Sequence, residues 1–238
     1  MNSKEQELLA IALDRITATF GKSAVLKGGM VLKLLGSARY TNDLDYIFVP
    51  YKSRKQIAAA LVKCLQSIPG VTISHSLNSK CLRIILTLGE ISVQVEASVA
   101  LDLKTDVATT KLISTQFRTP RRVVHIVDHT VSLANKLAAW NERRLTRDLY
   151  DIWFFLEMGI SPDTAILDKR LKRPQYSRLV RNEDYFFGNS VEEFYEFLRS
   201  RVAIITQSQV AAELADYLTP DELVGVASLI KAALIKLK

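Results

Sequence analysis

The sequence Ala24-Val25-Leu26-Lys27-Gly28-Gly29-Met30 leads through Val31, Leu32, Leu34 and Leu35 to Gly36, and then to Arg39-Tyr40-Thr41-Asn42-Asp43-Leu44-Asp45-Tyr46-Ile47-Phe48. It reads as a short strand, a glycine turn, a short helix ended by Gly36, and a second strand from Leu44 to Val49. Residues two apart on a strand share a face, so Asp43 and Asp45 present their carboxylates side by side where that strand begins. Like charges so placed repel unless a cation lies between them. A divalent metal is the usual solution, and Mg2+ takes a few carboxylates together with substrate phosphates. The glycine pair ahead of a helix offers N–H groups and close backbone approach, which suits a phosphate. Asp-x-Asp alone and Gly-Gly alone recur by chance; the order strand, Gly-Gly, helix, Asp-x-Asp is far more specific.

Further along, Val71 to Ser74, Cys81 to Leu88 and Ile91 to Val99 are rich in Ile and Val and joined by short polar or glycine turns, which predicts three more strands. In the last of them Ile91, Val93 and Val95 alternate with Ser92, Gln94 and Glu96, so Glu96 lies on a polar face. A two-metal phosphoryl-transfer site uses a third carboxylate to hold the metal that activates the attacking hydroxyl. Glu96 is the candidate, with an exposed polar edge as the bland alternative. Helix starts are marked by a hydroxyl followed three residues later by an acid or amide: Ser3 with Gln6, Ser53 with Gln56, Ser190 with Glu193, and Thr219 with Glu222. From about Asp128 the strand signals stop and helical ones dominate. The pattern predicts an α/β lobe over residues 1–125 and a helical lobe over residues 126–238, the polar, basic stretch from Thr115 to Arg122 leading to the boundary.

Composition bounds the rest. The chain has 238 residues, 48% hydrophobic and 24% charged, enough for a real core. No run of about 18 uninterrupted apolar residues exists, which argues against a membrane span. The polar, acidic start is not a secretory signal. Cys64 and Cys81 sit in apolar segments and are too few for a disulfide scaffold or a four-ligand zinc site, so they read as core residues of a cytoplasmic protein. The net charge is +7. Lys169, Arg170, Lys172, Arg173, Arg178 and Arg181 form a run without an acid, interleaved with Tyr176. Such a stripe fits polyanion contact, or else a solvated face paired with the acidic segment Glu183 to Glu196. His125 and His129 have the spacing of a helical metal pair, but without an HExxH pattern or a third ligand they read as surface or boundary residues.

Lys27-Gly28-Gly29 with Arg39-x-Thr41-x-Asp43-x-Asp45 resembles the first motif of the AbiEii/AbiGii-type nucleotidyltransferases, the toxin halves of bacterial toxin–antitoxin and phage-defence systems within the polymerase-β-like superfamily. The segment Leu133 to Ile152, in which Lys136 precedes Arg147-Asp148-Leu149-Tyr150-Asp151, is similar to that family's second signature. Together they span about residues 24–157, and the C-terminal third carries no matching motif. Met30 stands where many relatives carry a small hydroxyl residue, which removes one phosphate contact. If the second segment is one continuous helix, Lys136, Trp140, Arg143, Arg147 and Asp151 share a face. Asp148 then lies elsewhere and can pair with Arg144. A salt-bridged junction between helices is the alternative for Arg147, Asp148 and Asp151. Lys136, among apolar neighbours, either snorkels or is aimed at a phosphate.

What the resemblance implies is an α+β fold: a polymerase-β-like nucleotidyltransferase lobe with a mixed sheet, and a C-terminal helical lobe completing the active-site cleft. It implies a Mg2+- or Mn2+-dependent enzyme that moves a nucleoside monophosphate from an NTP to an acceptor hydroxyl and releases pyrophosphate. Asp43, Asp45 and Glu96 are the expected metal ligands and catalytic residues, joined in catalysis by Lys136 and Asp151. Lys27, Gly28, Gly29, Arg39, Thr41, Lys136, Arg147 and Asp148 are the expected NTP contacts. The implied acceptor is RNA, most directly the tRNA 3′ end, so that the protein blocks translation and is restrained by a cognate antitoxin. The rivals are a small-molecule nucleotidyltransferase of the antibiotic-modifying kind, which the basic stripe opposes, and a non-catalytic binding module.

Overall fold

Every second residue of the strand Asp43–Phe48 is apolar, and Leu44, Tyr46 and Phe48 are all fully buried. This strand, β2, is the middle strand of a seven-stranded sheet in the computed structural model, which describes residues 3–78, 81–175, 185–188 and 190–238. The chain divides into two units, residues 1–128 and 129–238. In the first, β2 is preceded by α1 (Ser3–Phe20), a 3-10 turn (Gly21–Ser23), β1 (Ala24–Lys27) and α2 (Gly29–Leu34). It is followed by α3 (Lys55–Gln66), β3 (Thr72–Leu77), β4 (Leu82–Leu88), β5 (Ile91–Val99), β6 (Thr105–Thr109), α4 (Lys111–Phe117) and β7 (Val123–Val127).

The strand order is β3-β4-β5-β2-β1-β7-β6. β2 pairs parallel with β5, and β1 parallel with β7, while the other neighbours run antiparallel, so the sheet is mixed. Its core face carries Leu44, Tyr46, Ile84 and Val95, which pack in one cluster with Leu9, Leu13 and Ile16 of α1 and Leu61 and Leu65 of α3. Burial of each such side chain contributes about 1.5–3 kcal/mol. With that face sealed, strand alternation turns Asp43, Asp45, Gln94 and Glu96 to the other face, and a one-residue slip would bury the carboxylates.

The stretch Thr115 to Arg122 holds the end of α4 and the link to β7, and it is flanked by two strands of the first unit. In β6 only Ala108 is buried, so its strand identity comes from pairing with β7 and not from a hydrophobic pattern. β7 carries the apolar residues Val124, Ile126 and Val127 and lies against β1. His125 belongs to β7 and His129 opens the next helix, so the two histidines do not share a helix.

The second unit is helical: α5 (His129–Arg143), α6 (Thr146–Glu157), α7 (Thr164–Lys172), α8 (Val191–Ala203), α9 (Gln207–Leu214), α10 (Pro220–Leu223) and α11 (Val226–Leu234). Ser190 caps α8 by accepting from the Glu193 N–H, and Thr219 with Glu222 forms a reciprocal capping box. A second box, Thr206 with Gln209, starts α9. The helix that starts at Thr219 is short: Val224 is extended and Gly225 takes φ 75°, a left-handed conformation that favours glycine, before α11 begins. The segment 133–152 is broken too. Arg144 adopts φ 54° between α5 and α6, so Lys136 and Arg147 do not lie on one continuous helical face. Among the described residues no helix is long and apolar enough to cross a membrane.

The basic run is corrected in part. Arg170 is buried, its Nη2 lies 2.7 Å from Oε1 of the buried Glu142, and its Nη1 donates to Asn135. A carboxylate as deeply buried as Glu142 needs a cation, and that need takes Arg170 out of any polyanion-binding surface. Lys172 pairs with Asp168 four residues earlier. Tyr176, Arg178, Arg181 and Glu183 lie outside the described residues. Replacing Arg170 with Met removes the arginine that pairs with the buried Glu142 and should cost about 3 kcal/mol in urea unfolding, whereas Lys169→Met on the exposed side should change stability by less than about 0.5 kcal/mol. Equal unfolding midpoints for the two variants would remove the structural role given to Arg170.

Candidate active site

Register across the first unit's sheet sets four charged residues in one row. Lys27 on β1 faces Asp45 on β2, Asp45 faces Glu96 on β5, and Glu96 faces Arg83 on β4. Directly paired residues share a face, so the row runs cation, carboxylate, carboxylate, cation. One step along, Asp43 lies beside Gln94. The Arg83 guanidinium donates to Glu96 Oε1 from Nε at 3.1 Å and Nη2 at 2.9 Å, and Gln94 Nε2 donates to the same oxygen at 2.9 Å. Thr41 Oγ1 donates to Asp43 Oδ1 at 3.0 Å, and Gln6 of α1 donates to the Thr41 carbonyl at 2.7 Å, tying the loop ahead of β2 to the core helix.

The glycine pair is packed into this arrangement. Gly28 has φ 77°, and a Cβ there would stand 2.6 Å from Asp45 Oδ2. A Cβ at Gly29 would stand 2.6 Å from Thr41 Oγ1 and 2.8 Å from the buried Arg39 guanidinium. Gly28, Gly29, Arg39, Thr41 and Asp45 are therefore one packed unit, which is the physical reason for their fixed spacing. Met30, next in sequence, turns into the core. Cys81, read from sequence simply as core, also neighbours Glu96: burial first, then the Glu96 carboxylate, push its thiol up, so it stays protonated.

Among the described residues no group of three or more His, Cys, Asp or Glu side chains is gathered to hold a metal ion. Asp43 and Asp45 nevertheless supply hard oxygen donors one pleat apart, a set that fits a divalent cation completing its shell with phosphate oxygens. Glu96 is engaged by Arg83 and Gln94 as it stands.

In the helical unit a second charged cluster forms where α5 and α6 lie side by side. Asp148 and Asp151 are fully buried. Lys136 Nζ lies 2.5 Å from Asp151 Oδ2 and 3.6 Å from Asp148 Oδ1, and Arg143 donates to both oxygens of Asp148 at 2.6 Å. Lys136 is thus ion-paired and does not simply snorkel. The expected pairing of Asp148 with Arg144 is replaced by Arg143, because the turn at Arg144 sends its guanidinium over the Trp140 ring at 4.0 Å and the Phe197 ring at 4.9 Å. Arg147, at the start of α6, donates to the Tyr217 hydroxyl at 3.1 Å. Trp140 is buried among these rings and lines no polar face.

Both units have counterparts among solved structures. MenT4, a nucleotidyltransferase toxin of Mycobacterium tuberculosis, matches with a TM-score of 0.61 at 16% identity, over 98% of this chain and 85% of that one. JHP933 from Helicobacter pylori matches with a TM-score of 0.51 at 16% identity, over 99% of this chain and 95% of that one. At such identities the likeness is one of fold, and it agrees with an α+β, polymerase-β-like architecture. No curated protein matches the sequence. The family model described as nucleotidyl transferase AbiEii toxin, type IV toxin–antitoxin system, matches residues 11–219, a span holding the glycine pair, the carboxylate row and the Lys136 cluster. The chain belongs to the AbiEii family of nucleotidyltransferase toxins.

Proposed function

We propose that this toxin transfers a nucleoside monophosphate from an NTP to a hydroxyl of an RNA acceptor, with the tRNA 3′ end as the acceptor and Mg2+ or Mn2+ as the metal, and so blocks translation in the cytoplasm. The observation that carries the reading is the register of Asp45 with Glu96 beside Asp43, against a glycine turn that leaves no room for a side chain. Asp43 and Asp45 would hold the divalent cation, which supplies charge neutralisation at the triphosphate. Lys27, Gly28, Gly29, Arg39 and Thr41 shape and hold the nucleotide side of the site. Glu96 accepts the proton of the attacking hydroxyl as its oxygen bonds to the α-phosphorus and the bond to the departing pyrophosphate breaks. Lys136, oriented by Asp151 and Asp148, balances charge on that pyrophosphate, and Arg147 adds a further cation. Membership of a type IV toxin–antitoxin family implies an antitoxin partner.

Incubating the protein with total RNA and each labelled NTP in turn tests the reading. Label in a tRNA-sized band is the expected result; label in a small molecule would move the acceptor to the antibiotic-modifying class, and no label with any NTP would refute the proposal. Asp45→Asn should abolish transfer without lowering the melting temperature, since it removes one of two neighbouring like charges.

Gly28→Ala should be as damaging to transfer as Asp45→Asn, because its methyl group collides with the Asp45 carboxylate; retained turnover would show that Asp45 has room to move without consequence. Lys136→Met should lose transfer and also about 3 kcal/mol of stability, since it leaves Asp151 buried without its cation. A melting temperature equal to that of the unaltered protein would mean that the Lys136–Asp151 pair holds nothing together.

A further inference from the structure

The row of paired side chains continues past Arg83. β3 adds Ser76 opposite it, and on the same face Ser74 stands opposite Ile85. Ser74, Ser76, Arg83 and Ile85 are all exposed, while the reverse side of β4 is sealed by Leu82, Ile84 and Leu86. The bare face holds small hydroxyls, one apolar side chain and one arginine, and neither β3 nor β4 contains an acid. It is also continuous, strand by strand, with the Asp45–Glu96 pair.

Arg83 is half exposed and gives Nε and Nη2 to a single oxygen of Glu96. Its Nη1 bonds no described residue, so one edge of the guanidinium fork is available for a second anion. Two strand spacings separate its backbone from that of Asp45, about 10 Å, so the guanidinium lies within reach of a backbone phosphate adjoining a hydroxyl held at the carboxylates. We infer that Arg83 anchors the acceptor, taking the phosphate nearest the attacking hydroxyl of a single-stranded RNA end that crosses the bare face of β3 and β4. Serine hydroxyls donate to phosphate and sugar oxygens without reading sequence, and Ile85 offers an apolar surface to a base. This rests on the proposed transfer to RNA and names the surface and the residue that bind the acceptor.

The test measures initial rates against RNA and NTP separately, together with RNA binding by fluorescence anisotropy over a salt series. Arg83→Gln should raise the KM for RNA about tenfold, leave the KM for NTP unchanged, and reduce the salt slope of RNA binding by about 0.7, the loss of one phosphate contact on a single strand. Arg83→Lys should restore part of that slope. Ile85→Glu, at an exposed position, should also raise the KM for RNA by repulsion. A fall in kcat with an unchanged KM for RNA in Arg83→Gln would mean that Arg83 acts only through Glu96, and would overturn the inference. An unchanged KM in Ile85→Glu would overturn the path across β3 and β4. If the unaltered protein labels no RNA at all, the proposed function fails first, a result distinct from a defect confined to the variants.

Discussion

Asp45 and Glu96 stand in register on neighbouring parallel strands, and the first unit depends on keeping them there. Two partly exposed carboxylates one strand spacing apart repel by about 1 kcal/mol at water-like dielectric. Against this stand the buried partners on the opposite face of the same strands, Leu44, Tyr46 and Phe48 with Val93, Val95 and Ala97, each of the larger ones contributing about 1.5–3 kcal/mol. The core therefore sets the register and the carboxylates accept its consequence. Lys27 and Arg83, flanking the pair within the sheet, reduce the repulsion without separating the charges.

The helical unit handles charge the opposite way. Three of its carboxylates are sealed from water, and each has a cation beside it: Asp151 with Lys136, Asp148 with Arg143, Glu142 with Arg170. Asn141, fully buried between the same elements, accepts from the Phe186 N–H and donates to its carbonyl. Polar contacts of this kind specify how α5 meets α6, α7 and the 185–188 segment, where apolar packing alone would tolerate sliding. Lys136 thereby has two duties, since the group proposed to meet phosphate is also part of what joins two helices.

The glycine turn, the short helix and the Asp-x-Asp strand were legible because their signals are local: composition, alternation and spacing within one stretch. So were the caps at Ser190 and Thr219. Glu96 was legible as a polar-face residue, but its pairing with Asp45 was not, since a parallel neighbour leaves no turn in the sequence to announce it. Arg83 went unread for the same reason, because its importance comes wholly from what lies beside it. The turn at Arg144 carries neither glycine nor proline, so helical periodicity ran straight through it. The basic run misled at Arg170, because charge counting ignores burial: this arginine answers an acid far back in the chain, and nothing near it in sequence signals that demand.

The strand order also has a consequence for the chain as it is made. β2 precedes its parallel partner by the whole of α3, β3 and β4, and β1 waits for β7. At about 5–20 residues per second, several seconds separate the emergence of Asp45 from that of Glu96. Pairings of such long range are slow to form. A growing chain accordingly exposes its aspartates for several seconds while the strand that must flank them is still inside the ribosome, so the carboxylate row is absent through the first part of its synthesis.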